Sequence, residues 1–582
     1  VITTFSVQDI PFSYPGSWFD ISPVIAEKTY AADLHLVSHQ SGMHPVLRFE
    51  PRHADGRVEA RVVAGPAKLQ WEHPAGEIEA VYETADTIRL RGTGLGLRIA
   101  AAASTLTPFS GTYLYRDPRA ASYVFTSYET GRRYRLTVLG DSSPTASGTE
   151  SLGAGDRHID LPGGPAWEVV IEEYATSRDP YHSTASFDDV ARNTADTFGR
   201  YLQAVAPWRD ARTPAAELAT YVLWSATVAP GGFFHRPAVL MSKHWMDKVW
   251  SWDHCFNAMA LAAGDPDLAW DQFHIPFDHQ DPTGALPDSV AHSEVLYNFV
   301  KPPIHGWALG HLRRRLPTPL DRDQLTETYR RLSHWTTFWL TQRRAPGHPL
   351  PHYQHGNDSG WDNATTFDAG RLLETADLTT FLIMQVRELS TLAAELGDTD
   401  AAANWEATAE QLRTALLTTL WDGNRFLARN PETGETSSST SLLALMPIAL
   451  GADLPAEIRT TLATCLKAHL TPYGLATEPL DSPRYADDGY WRGPIWAPAT
   501  LLIEDGLRRA GLDDLADDIS GRFRELCETS GFAENFNAAT GAGLRDRAYT
   551  WTAAVYLILA AAHQDRQSGH GPGRVRAGTS PE

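Results

Sequence analysis

The period of the hydrophobic pattern changes once, near Ser186, and that change limits the folds open to the chain. Before it, apolar and polar residues alternate in short runs such as "HPVLRFEPRH", "GRVEARVVAG", "EIEAVYET", "DTIRLRGTGLGLRIAAA", "SYVFTSYE", "RRYRLTVLG" and "AWEVVIEEY". Gly, Asp, Asn or Pro breaks the runs at short intervals, the signature of antiparallel strands in a β-sandwich. The Ser/Gly/Thr-rich stretch over 141–156, ending in "TASGTESLGAGD", reads as a loop. From "FDDVARNTADTFGRYLQAVAPW" onward the apolar residues fall at helical spacing, and about a dozen helical segments follow, from "PAAELATYVLWSATVA" through "SSTSLLALMPIAL" to "DRAYTWTAAVYLILAAAH". They alternate between apolar, Trp-rich runs and more charged ones. That suits an inner set buried on all sides and an outer set with one wet face. An (α/α)6 toroid is the natural closure; an α-solenoid is the alternative, but no fixed repeat period is visible.

With 582 residues, the chain is too long for one ordinary core. The expected organisation is a multidomain one: an N-terminal antiparallel β-sandwich over 1–185, a helical linker over 186–213, an all-α (α/α)6 catalytic domain over 214–564 and a disordered Gly/Ser/Arg-rich tail over 565–582. A formal net charge of −21 with no basic stripe argues against nucleic acid and anionic membrane surfaces. No apolar run reaches membrane-spanning length. Cys255, Cys465 and Cys527 lie far apart and form no C-x-x-C pair, so neither a zinc site nor a disulfide framework is expected. An odd count fits a reducing compartment, and the start has no basic segment or long apolar run, so a cytoplasmic location is expected. Eighteen Trp is high for this length. Indoles serve either helix–helix interfaces or the walls of a sugar site.

Four segments combine carboxylates or amides with aromatics at the ends of apolar helices. "KVWSWDHCF" holds Trp250, Trp252 and Asp253. "HYQHGNDSGWDNATTF" holds His355, Asp358, Gly360, Trp361, Asp362 and Asn363. "DDGYWRGPIW" holds Tyr490, Trp491, Arg492, Gly493 and Trp496, and "GFAENFNAATGAG" holds Glu534, Asn535 and Asn537. Singly, each has a structural use. Asp253 suits a helix cap, Asp358 and Asn363 suit turns, Arg492 suits an ion pair and Glu534 a solvated loop. Together they are costly if idle, and such loops cluster at concave sites on rigid scaffolds. No H-E-x-x-H, G-x-S-x-G or Walker loop occurs, and "GTGLGLRIA" opens a β run, not a helix. Carboxylates beside aromatics remain. Glycosidic hydrolysis needs that pair: one acid protonates the leaving oxygen, and a second carboxylate activates water or attacks directly. Aromatic walls stack on sugar faces and raise the acid's pKa by desolvation.

The set "WSWDHCF", "SGWDN", "GYWRGPIW" and "ENFNAATG", over about residues 240–560, resembles glycoside hydrolase family 63. That family includes mannosylglycerate and glucosylglycerate hydrolases and the processing α-glucosidase, and belongs to the (α/α)6 group with trehalases and glucoamylase-like enzymes. The resemblance implies an inverting exo-acting α-glycosidase, most simply an α-glucosidase on a short oligosaccharide or small glucoside. An α-mannosidase on mannosylglycerate and a trehalase-like enzyme are alternatives on the same scaffold, and a non-catalytic sugar-binding protein is the third. It implies Asp362 as general acid and Glu534 as general base. Trp252 and Asp253 would hold the terminal sugar, while Tyr490, Trp491, Arg492 and Trp496 line the pocket. Inversion implies a water between Glu534 and the anomeric carbon, with the carboxyl groups roughly 6.5–9.5 Å apart. Trp361 and Gly360 would shape the wall, and His355 and Asp358 either hold the loop or bind substrate. Lys301 stands where the family's glycerate-glycoside hydrolases are expected to carry glutamine. It is either a surface lysine or a pocket residue that pairs with Asp253 or touches substrate. No metal or cofactor is expected, and the partner is a small carbohydrate.

Overall fold

The computed structural model describes residues 3–54 and 56–568. Contacts divide the chain into two units, the first comprising residues 1–204 with 220–248 and 291–293, the second the remainder.

Two antiparallel sheets build the first unit. One has eight strands in the order Thr112–Asp117, Ser122–Ser127, Arg133–Leu139, Trp167–Tyr174, Thr87–Thr93, Gly76–Thr84, Leu69–His73 and Arg61–Ala64. The other runs Phe19–Ile25, Thr29–Ser38, His44–His53, Gly96–Ala101, His158–Leu161 and Thr145–Ser147, with Gly56–Arg57 paired to His44–His53. Their alternate residues share one hydrophobic cluster: Leu36, Leu47, Phe49 and Ile99 from the second sheet meet Ile78, Leu90, Leu114, Phe125 and Ile171 from the first. Period-2 patterning thus places one face of each strand in the core. Two details differ from the sequence reading. Phe19–Ile25 is a strand despite Pro23 and the buried Asp20; it lies at a sheet edge, where a proline's missing N–H is tolerated. The segment read as a loop at 141–156 contains Thr145–Ser147, paired to His158–Leu161.

In the second unit six segments pack each on the next, and the last on the first: His254–Leu261, His305–Arg315, Ala376–Leu396, Leu442–Asp453, Ala497–Arg509 and Thr550–Gln567. Between them run Pro266–His274, Arg322–Thr341, Thr399–Thr419, Ala456–His469 and Asp513–Ser530. The inner segments are the more fully buried; Thr550–Ala560 is buried at every position. The intervening ones bury a stripe, as Thr399–Thr419 does with Ala409, Leu412, Ala415 and Leu416. An intervening helix returns the chain each time, so successive inner segments run the same way and the loops leading into them gather. "SSTSLLALMPIAL" forms a 3-10 segment, not the expected α-helix. Pro447 removes a backbone donor there, and Gly451 adopts φ +58°. The last helix starts at Thr550, leaving Arg545–Tyr549 as loop. Of the tail expected to be disordered, 565–567 complete this helix, and 569–582 lie outside the described residues. No described helix is long and apolar enough to cross a membrane.

Candidate active site

Five of the six inner segments receive chain through a loop that carries a site residue. Trp252 and Asp253 precede His254–Leu261. Asp288 and Lys301 lie ahead of His305–Arg315, His355 to Asn363 ahead of Ala376–Leu396, and Tyr490 to Trp496 ahead of Ala497–Arg509. Glu534 precedes Thr550–Gln567.

The 355–363 loop is built by its own polar side chains. Asp358, buried, accepts hydrogen bonds from the backbone N–H groups of Gln354 (2.8 Å), His355 (3.2 Å) and Val300 (3.1 Å), and from Arg343 Nη1 (2.8 Å). His355 Nδ1 accepts from Asn357 N–H, and its ring stacks on Phe299 at 5.0 Å. Both therefore hold the loop. Gly360 closes the turn at φ +72°, and a Cβ there would stand 2.6 Å from Cε2 of Trp252. Only glycine satisfies both conditions. The turn delivers Asp362 with a side chain 31% exposed, whereas Glu534 is 2% exposed.

Asn363 couples this loop to the "YWRG" segment. Its Oδ1 accepts from Trp491 N–H (2.9 Å), its Nδ2 donates to the Gly489 carbonyl (3.0 Å), and its own carbonyl accepts from Arg492 Nε (2.8 Å). Arg492 also pairs with Asp368. Its role here is to tie loops together, as the ion-pair reading allowed. Three indoles stack beside this joint: Trp361 on Trp491 at 4.7 Å, and Trp491 on Trp496 at 3.9 Å with planes 7° apart. Trp496 Nε1 donates to the Tyr490 carbonyl. All three are buried. Trp252 meets Trp551 edge-on at 5.6 Å, and Trp551 meets Trp496 likewise at 5.7 Å.

The charges converge on the same place. Asp253 takes no part in capping and is buried, with Oδ1 lacking a hydrogen-bond partner among the described residues. Burial pushes its carboxyl well above the usual range; Lys301 pulls it down, while Asp362 and Asp288 push it further up. Lys301 is buried and not a surface lysine, with Nζ 3.0 Å from Asp288 Oδ1, 2.8 Å from the Asn357 carbonyl and 3.9 Å from Asp362 Oδ1. Asp362 is raised by burial, with Lys301 opposing and Asp288 adding. Burial pushes Glu534 up to about 8; Asp546 and Asp362 add to the rise, while Arg545 and a hydrogen bond donated by Tyr490 oppose it. Tyr490 sits at φ +63° and Arg545 at φ +60°, with the guanidinium over the phenol ring at 4.9 Å. Strain of that kind persists only where surrounding structure enforces it.

Sequence reasoning missed Asp288, Arg545, Asp546, Tyr549 and Trp551. Asp288 is a lone acid in "GALPDSV", with no aromatic neighbour to mark it. Asp546, Tyr549 and Trp551 were absorbed into a predicted helix that begins only at Thr550, and Arg545 lies just ahead of it with no aromatic neighbour in sequence. Asn537 is not brought to the site; its Oδ1 binds Ala539 and Thr540 N–H within its own turn. A separate cleft of about 360 Å³ in the first unit, lined by Trp18, Gln40, Arg132, Glu173 and Arg178 among others, contains none of these residues.

Two carboxyl groups on separate loops, with Asp362 raising the proton affinity of Glu534, beside stacked indoles meet the demands of glycosidic bond cleavage, and the chain is a glycoside hydrolase in class. The family described as Mannosylglycerate hydrolase MGH1-like glycoside hydrolase domain matches residues 246–552, and the chain belongs to that family, within glycoside hydrolase family 63. It is 26% identical over 418 residues to a mannosylglycerate hydrolase of Rubrobacter radiotolerans, covering 56% of this chain and 92% of that protein. A periplasmic trehalase of Xanthomonas campestris pv. campestris (strain 8004) is 28% identical over 275 residues, 42% of this chain and 47% of the trehalase. A GH63 mannosylglycerate hydrolase from Thermus thermophilus, solved in complex with glucose, aligns with a TM-score of 0.51 at 21% identity, over 59% of this chain and 98% of that one. A bacterial glucoamylase complexed with acarbose aligns with a TM-score of 0.62 at 12% identity, over 97% and 95%. At these identities the two structures speak for the fold alone.

Proposed function

We propose that the protein is an inverting, exo-acting α-glycosidase that removes a terminal glucose from a short oligosaccharide or small glucoside. Residues 214–564 would form its catalytic domain as an (α/α)6 toroid, following a β-sandwich in the chain. The observation that carries the proposal is the convergence of Asp362 and Glu534, on loops 172 residues apart in the chain, into one electrostatic unit walled by indoles. Asp362 protonates the glycosidic oxygen. Glu534 takes a proton from the water that attacks the anomeric carbon from the opposite face. Tyr490 and Arg545 both favour a negative Glu534, which suits the base. Trp252 and Asp253 hold the terminal sugar. Glucose is favoured because a trehalase is among the relatives. Mannosylglycerate is the second reading, favoured by the match that spans 92% of the Rubrobacter mannosylglycerate hydrolase. The three unpaired cysteines support a reducing compartment such as the cytoplasm.

An exchange of roles between the two carboxyls has one observation in its favour: Glu534 rests at about 8, while Lys301 stands near Asp362. Leaving-group dependence separates the assignments. An acid variant retains turnover on substrates whose leaving group needs no proton, and a base variant does not. Asp362→Asn should therefore be far less impaired on a dinitrophenyl glycoside than on a disaccharide, with Glu534→Gln impaired equally on both. The defining experiment follows the first product by proton NMR over α-linked glucobioses, trehalose, glucosylglycerate and mannosylglycerate. Release of the β-anomer of glucose supports the proposal. Release of the α-anomer, or turnover of mannosylglycerate alone, replaces it.

A further inference from the structure

Lys301 is the one cation within 4 Å of Asp362 among the described residues, and its surroundings are unusual. The segment "FVKPPIHG" brings its side chain into a place ringed by acids, and the two prolines that follow cannot donate a backbone N–H. An ammonium has three N–H donors. One goes to the Asn357 carbonyl, and Asp288 Oδ1 is ion-paired with the ammonium at 3.0 Å; Asp362, at 3.9 Å, is near enough to feel the charge and too far for a hydrogen bond. The same short segment holds the acid loop a second time, since Val300 N–H donates to Asp358. The charged and titratable groups around the pair come from every lead-in loop that bears on it. Asp253 and Asp288 face Lys301, His355 faces Asp362, and the Asp358–Arg343 pair lies behind the loop. Glu534 and Tyr490 respond to Asp362 from the other side.

An ammonium bonded directly to Asp362 would fix it as a carboxylate, useless for giving up a proton. With no cation nearby, a buried carboxyl would hold its proton too firmly to cycle. Asp288 resolves both problems by binding the ammonium itself. We propose that Lys301, held at a fixed remove by Asp288 and the Asn357 carbonyl, is the positioning residue that sets the pH at which Asp362 releases its proton. Lys301 remains charged because Asp362, Asp288 and Asp253 outweigh the effect of its burial. Its catalytic meaning rests on the glycosidase reading; its effect on Asp362 does not.

The test reads the Asp362 carboxyl without turnover, by infrared titration of each protein minus the same protein carrying Asp362→Asn. Lys301→Met should raise the Asp362 midpoint by about one pH unit or more, the usual effect of losing an opposite charge at such range. Asp288→Asn should lower it, because it removes a repelling charge and frees the ammonium to approach. Opposite signs in the two variants support the proposal. No shift, or shifts of the same sign, overturns it. Lys301→Gln keeps a donor for the Asn357 carbonyl and removes only the charge, so with the same expected rise it decides the matter if Lys301→Met fails to fold. In active protein the kcat/KM limb that disappears in Asp362→Asn moves with the infrared midpoint in both variants. If the infrared shifts appear in a protein that cleaves no glycoside, this inference stands and the functional proposal falls.

Discussion

Among the described residues two lysines are buried, and burial treats them alike while partners treat them differently. Lys243, in the first unit, donates to Ser13 Oγ at 2.9 Å and the Ser17 carbonyl at 2.8 Å; burial lowers it to about 7, with Asp20 alone opposing. Lys301, in the second, sits among three carboxyls and is raised. Their neighbourhoods differ in the same way. Beside Lys243, His39 is bonded at both ring nitrogens, Nε2 to Asp20 at 2.8 Å and Nδ1 to Asp247 at 3.0 Å. Burial disfavours its charge, the two aspartates outweigh that, and the imidazole rises to about 9. That cluster is closed: each acid has the imidazole as partner. Around Lys301 the cluster is open, with Asp253 Oδ1, Trp361 Nε1 and Trp551 Nε1 lacking partners among the described residues. A saturated polar cluster serves the fold, whereas groups left wanting partners keep hydrogen-bonding capacity that a ligand can use.

The contrast yields separable outcomes. Asp362→Asn and Glu534→Gln should each lower kcat on a natural linkage by roughly 10²–10⁴ with little change in melting temperature. Near-normal turnover in either would remove the distinction between the clusters. His39→Gln should do the reverse, destabilising the fold by about 3 kcal/mol because it leaves two buried acids without their cation, with kcat unchanged per folded molecule. The sign follows from linkage. The folded value lies above the ordinary 6.5, so the stabilisation is present in full below that pH and is lost as pH rises through about 9. Denaturant titration should show a larger loss at pH 6 than at pH 9.5. Gly360→Ala tests how the 355–363 loop meets Trp252. The left-handed backbone and the 2.6 Å approach to Trp252 should cost about 1–3 kcal/mol and misplace Asp362. Arg545→Met should have the smallest effect. Arg545 opposes the rise of Glu534 from a partly exposed position, so its loss should move the acidic limb of kcat/KM upward by less than about one pH unit and lower activity at pH 7.

Much of this was legible beforehand, for physical reasons. The switch from period 2 to period 3.6 announced strands and then helices, because each face's burial is written into residue spacing. Asp362, Glu534 and the indoles of "SGWDN" and "YWRGPIW" stood out because polar and aromatic residues without helical period have little structural use. Composition alone did not sort the tryptophans. Trp335 and Trp339 pack edge-on within their own helix, while Trp361, Trp491 and Trp496 form the stacked wall. Nor did local pattern reveal that Asn363 binds the backbone at 489–491, or that Asp288 anchors Lys301. Those depend on which loops the helical pairs bring together, and no neighbouring residue encodes that. The break at Pro447 was readable, since proline disfavours an α-helical interior.

The lead-in loops have one more consequence. Each rides on its own pair of helices, so the site is assembled from modules that can lengthen or shorten one at a time. A deletion between Ser289 and Lys301, for instance, would reshape one wall without shifting the register of the helices opposite. Substrate choice in such a scaffold can be retuned loop by loop, except at the Asn363 joint, where two loops must change together.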